Sequence, residues 1–221
     1  MDNYENAIKY IEQQEATDIS YVKVGDTARN LVVSFGHIVH GGFASKTSLM
    51  TKKYDKDNFD VLYLRDPKKR WYLRDLPKIG ENINDTIPFL KNEVTKYEKV
   101  ICVGSSMGGY ASILFGSLLN VNIVIARQPQ TDLNFIQTKK STFRHHVAGR
   151  NQNLWRTYSN LKNIINDTTK YIVSWPEHDD HPDGYHDMHH YENVKDHTNI
   201  LFTPNLGPQF TKKTYECIDK L

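Results

Sequence analysis

Two stretches of this chain have the residue types to make and break bonds. The first is Gly104-Ser105-Ser106-Met107-Gly108, which fits G-x-S-x-G. At a sharp strand-to-helix turn this pattern lifts the central hydroxyl, here that of Ser106, above the sheet edge, where it can attack an acyl carbon. Small neighbours are needed because the backbone there is crowded and strained. The Met107 amide, at the start of the helix, then points toward a developing oxyanion. The second stretch lies at 176–190. It places His178, His181, His186, His189 and His190 among Asp179, Asp180, Asp183 and Asp187. Imidazole moves protons near neutral pH, and a neighbouring carboxylate orients it.

The elements around the serine have the pattern such a turn requires. Val100-Ile101-Cys102-Val103 is a short unbroken apolar run, as in a strand buried on both faces of a parallel sheet. After it, Tyr110, Ala111, Leu114 and Leu118 recur at helical spacing. A phosphate-binding turn fits less well, because neither G-x-G-x-x-G nor a Walker lysine is present. Further strands are expected at 19–24, 31–35, 60–64, 121–126, 171–175 and 199–203. Helices are expected at 4–15, 86–97 and 151–166 and from about 208, with Pro88 in the first turn of the second. Strand and helix alternate, which predicts one compact, doubly wound, mainly parallel α/β sheet over residues 1–221.

Bulk properties narrow the function classes. A formal charge of +2, with no long basic block, argues against a nucleic-acid binder. No apolar run approaches the roughly 20 residues that span a bilayer, and the N-terminus lacks a signal-like pattern, so a cytoplasmic protein without a membrane partner is expected. Cys102 and Cys217 read as reduced core residues of such a protein.

The chain resembles the α/β-hydrolase superfamily. More narrowly, it is similar to small hydrolase-like proteins found with bacterial polysaccharide-biosynthesis enzymes. The likeness rests on Phe35-Gly36, Leu64-Arg65-Asp66, Trp71-Tyr72, the serine pentapeptide and Arg127-Gln128-Pro129-Gln130-Thr131. It implies an α/β-hydrolase-like fold, no cofactor, and a small-molecule or carbohydrate ester as substrate. It also implies a second oxyanion amide after the 31–35 strand, at Gly36 or His37. Arg65, Trp71 and Tyr72 become candidate substrate contacts, since guanidinium forks match anions and aromatic faces suit sugars or acyl chains. Against that role, Arg65 and Asp66 also read as an internal ion pair anchoring their loop.

In that superfamily the catalytic acid follows the penultimate strand, which points to Asp179 and then Asp180, and the histidine follows the last strand. Here the last loop, 203–209, has no histidine, and Gln209 stands near the expected place. Glutamine cannot accept the Ser106 proton. A base relocated to the 178–190 segment, with His181 and His190 as candidates, keeps the esterase reading. The spacing of His186 and His190 also suits one face of a helix and a metal, although no metal ligand is assigned. A solvated loop with no base would make the protein a non-catalytic, accessory or glycan-binding member of the fold. The sequence does not fix the oligomeric state.

Overall fold

The computed structural model describes residues 4–15, 17–38, 43, 59–175, 185–186 and 188–204. The C-terminal helix expected from about 208, Cys217, Gln209, Asp179, Asp180 and His181 lie outside them. Helix α1 (Tyr4–Glu15) precedes strands β1 (Tyr21–Val24), β2 (Asn30–Phe35) and β3 (Phe59–Leu64). A short hairpin, β4 (Arg74–Leu76) and β5 (Gly80–Asn82), leads into α2 (Ile83–Val94). Then come β6 (Lys99–Ser105), α3 (Met107–Leu118) and β7 (Ile123–Arg127). After β7 come α4 (Leu133–Lys139), α5 (Phe143–Ala148) and α6 (Gln152–Tyr158), then β8 (Lys170–Ser174), α7 (His189–Glu192) and β9 (Ile200–Phe202).

Seven strands form one sheet in the order β1-β3-β2-β6-β7-β8-β9. Only the β1–β3 pairing is antiparallel. The apolar run of β6 divides between two cores, as a doubly covered strand must. Val100 and Cys102 pack with α2 and α3, while Ile101 and Val103 pack on the face that Ile11 of α1 covers. Burial pushes the Cys102 thiol pKa far up, so it stays protonated and inert. Among the described residues, no helix is long and apolar enough to cross a membrane.

Two expectations need correction. Helix α2 begins three residues early, at Ile83, because Asn82 and Asp85 form a capping box; Pro88 therefore falls past the first turn. The single helix expected at 151–166 ends at Tyr158. Beyond it Leu133 donates its amide to Ser159, and Leu161 donates its own to Thr131, so tertiary bonds replace the next helical turn. The β4–β5 hairpin and helices α4 and α5 are additional elements, not among those expected from the sequence.

The register brings the carboxyl ends of the central strands together. Phe35 pairs with Gly104, and Arg127 pairs with both Ser105 and Ser174. The described residues that follow β2, β3, β6 and β7 consequently lie along one edge, where open parallel sheets bind ligands.

Candidate active site

Ser106 joins β6 to α3 with φ 55° and ψ −123°, a backbone conformation that a side chain adopts only under strain. Its amide donates to the Arg127 carbonyl at 2.8 Å, tying the turn to the neighbouring strand. The pentapeptide glycines fit this geometry. A methyl on Gly104 would lie 2.1 Å from the Gly108 carbonyl oxygen, and one on Gly108 would lie 2.3 Å from that of Phe35. Strand end, helix start and β2 thus touch backbone to backbone.

The Ser106 hydroxyl borders a cleft of about 260 Å³. Its walls include His37, Ile38, Trp71, Gln128, Tyr185 and His186. Among the described residues, two side chains reach the hydroxyl oxygen: His186 Nε2 lies 3.2 Å from Ser106 Oγ, and Gln130 Nε2 donates to it at 3.0 Å. His186 belongs to the 178–190 segment, but it was not among the residues singled out as base. His190 was, and the structure places it elsewhere. It is fully buried, its Nδ1 accepts from the Asp132 amide at 3.3 Å, and its carbonyl accepts from Thr131 Oγ1 at 2.6 Å. The i, i+4 spacing of the two histidines is not helical, because α7 begins only at His189. Among the described residues, no group of three or more His, Cys, Asp or Glu side chains is placed to hold a metal ion.

The chain holds His186 through its neighbour. Tyr185 stacks on Trp71 at 5.9 Å, meets Phe143 at 6.2 Å, and carries the Lys140 ammonium 4.3 Å above its ring. Its carbonyl accepts from Gln130 Nε2 at 3.1 Å.

The loop after β3 forms the far wall. Lys69, Trp71 and Tyr72 have φ between 54° and 59°. Asp66 holds them in place by accepting the amides of Lys68, Arg70 and Tyr72. Burial raises the Asp66 pKa to about 6, against the lowering effect of those three amide bonds. Of the expected substrate contacts in this loop, only Trp71 lines the cleft. Arg65 is buried, donates to the carbonyls of Ile19 and Thr17, and packs over Phe43. Tyr72 is fully buried, and its hydroxyl bridges the carbonyls of Gly36 and Leu64. Both anchor the wall. The anchoring expected of Arg65 and Asp66 runs through backbone groups.

The candidate oxyanion donors separate in the same way. The Gly36 amide already donates to the Leu64 carbonyl at 2.8 Å, so it cannot turn to a ligand. Met107 opens α3, where first-turn amides have no intrahelical acceptor. His37 lies on the cleft wall.

The sequence points to the 178–190 segment as the source of a base without setting His186 apart, and it assigns nothing to Gln130 or Tyr185 at the serine. The usable signals are the histidine-rich segment for His186 and, for Gln130, its place three residues past the end of β7 on the site edge.

No family model matches the chain, and comparison with curated proteins gives no match. Its fold does recur in solved structures. A capsule O-acetyltransferase of Neisseria meningitidis serogroup A superposes with TM-score 0.62 at 15% identity, over 91% of this chain and 90% of that one. Esterase B from Lactobacillus rhamnosis gives 0.60 at 9% identity, over 98% and 90%. Acyl-protein thioesterase 2 of Zea mays gives 0.54 at 11% identity, over 91% and 98%. At such identities the likeness establishes the fold, and the fold is that of the α/β hydrolases.

Proposed function

We propose that the protein is a serine esterase acting on a short-chain ester, with Ser106 as nucleophile and His186 as general base. The observation that carries this reading is the 3.2 Å separation of His186 Nε2 and Ser106 Oγ, which is within proton-transfer reach. A lone pair on Oγ forms the bond to the acyl carbon as the hydroxyl proton passes to Nε2. The carbonyl π pair moves onto its oxygen, which the Met107 and His37 amides receive. Collapse of this intermediate breaks the ester C–O bond, and the departing alkoxide takes the proton from His186. Water then attacks the acyl-enzyme, giving its proton to Nε2, and Oγ leaves with that proton to regenerate the serine.

Asp179 is assigned to orient the imidazole, with Asp180 second. The substrate class is a carbohydrate-linked ester; this extends the likeness noted above and agrees with a capsule O-acetyltransferase among the structural relatives. The accessory, non-catalytic reading required a fold without a base, and His186 removes its main support.

The size of the cleft gives a test. About 260 Å³ lies below the roughly 300–1,000 Å³ of sites that take drug-sized ligands. On 4-nitrophenyl esters from acetate to octanoate, kcat/KM is expected to peak at two to four carbons and to fall about tenfold or more by eight. A preference that rises steadily with chain length, or no turnover of any ester, would count against the reading.

A further inference from the structure

Gln130 is fully buried, and its amide makes three hydrogen bonds. Oε1 accepts from the Trp71 indole at 3.2 Å; Nε2 donates to Ser106 Oγ at 3.0 Å and to the Tyr185 carbonyl at 3.1 Å. Two of these partners have fixed polarity. An indole N–H can only donate and a carbonyl can only accept, so the amide has one consistent orientation, with Nε2 toward the serine. Ser106 Oγ therefore receives a hydrogen from Gln130 and must direct its own hydrogen elsewhere. The acceptor at hand is His186 Nε2.

We propose that Gln130 is a further catalytic residue: a fixed hydrogen-bond donor to Ser106 Oγ that aims the hydroxyl proton at His186 and, through Tyr185, holds the segment carrying that base. The proposal rests on the Ser106–His186 reading. The donor acts in both halves of the cycle. It stabilises charge on Oγ as the proton leaves, and again when Oγ departs from the acyl-enzyme. Trp71 takes part indirectly, because its indole is what prevents the amide from flipping.

The test compares Gln130→Leu, Gln130→Glu, Ser106→Ala and His186→Ala with wild type on one short-chain aryl ester from pH 5.5 to 9, with thermal unfolding measured in parallel. Gln130→Leu is expected to lower kcat by about 10- to 100-fold with little change in KM, as loss of an electrostatic donor does. In Gln130→Glu the ionised carboxylate can only accept, so it competes with His186 for the serine proton and repels the Tyr185 carbonyl. Its activity relative to wild type should be lowest at high pH. It should recover about tenfold as pH falls, because burial favours the protonated carboxyl, which again donates. Among the described residues, the ionisable groups lining the cleft are His37, Arg127, Tyr185 and His186. A carboxylate at 130 favours the His186 imidazolium, which by itself lowers the ratio as pH falls, opposite in sign to the expected recovery.

A purely structural role would lower both variants through stability and leave that ratio flat or falling toward low pH. A ratio that is flat or falls toward low pH, or Gln130→Leu within about threefold of wild type, overturns the proposal while leaving the Ser106–His186 reading intact if Ser106→Ala and His186→Ala are inactive. Wild-type turnover in either of those two variants overturns the reading, and the role of Gln130 with it.

Discussion

Replacing His186 with alanine is expected to lower kcat/KM on a short-chain ester by about 10⁴-fold or more, the scale on which loss of a general base disables a serine hydrolase. Without the imbalance that Nε2 creates, the Ser106 hydroxyl keeps its proton and is a poor nucleophile. The pH profile should change as well. Wild-type kcat/KM should rise with pH as the imidazole loses its proton, and the residual activity of His186→Ala should lack that limb. His189→Ala is the matched control. That ring stacks on Phe135 and meets Asp132 Oδ2 at 3.0 Å, away from the serine, so its loss should cost no more than about threefold. Equal losses in both variants would mean that the segment matters for stability and that His186 is not the base.

Ser106 yields the second large effect, in which two variants lose activity alike and differ in stability. Both Ser106→Ala and Ser106→Gly should lose turnover by about 10⁴-fold or more, since each removes the nucleophile. Their stabilities should differ. A φ of 55° with ψ −123° costs a side-chain-bearing residue on the order of 1–3 kcal/mol, which glycine avoids. Glycine gives back about 0.5–1 kcal/mol through the greater freedom of its unfolded chain. Ser106→Gly should therefore be more stable than Ser106→Ala by about 1 kcal/mol, or roughly 2–4 °C in Tm for a chain of this size. Urea and thermal unfolding of the two variants measure the difference. An alanine variant as stable as the glycine variant would show that the turn is not strained.

The pattern of success in the sequence reading has a physical basis. The sheet was legible because buried parallel strands are written as short apolar runs, and β2, β3, β6, β7 and β8 all lie within a residue or two of those runs. The serine turn was legible because its backbone contacts exclude side chains, leaving a glycine pattern that survives without the rest of the site. The partners of the serine carry no such local mark. Six histidines between 178 and 197 look alike in sequence; His186 is set apart by its neighbour Tyr185, pinned among Trp71, Phe143 and Lys140 from two distant stretches of the chain. The same limit explains Arg65 and Tyr72. Their residue types suggested ligand contacts, yet each satisfies backbone carbonyls that nothing in the local sequence announces. Gly36 failed as an oxyanion donor for a similar reason. A glycine after a strand suits close approach to a ligand, but here the strand pairing extends one residue further and takes the amide.

The central claim is that Ser106 is an activated nucleophile, and the most direct test is covalent. Wild-type protein should react with a fluorophosphonate probe at one equivalent per chain, and peptide mass spectrometry should find the adduct on Ser106. His186→Ala should slow the labelling by about 10³-fold or more, because the same proton transfer is required. Labelling at another residue, labelling at an unchanged rate in His186→Ala, or no adduct on Ser106 in the wild-type protein would contradict the account.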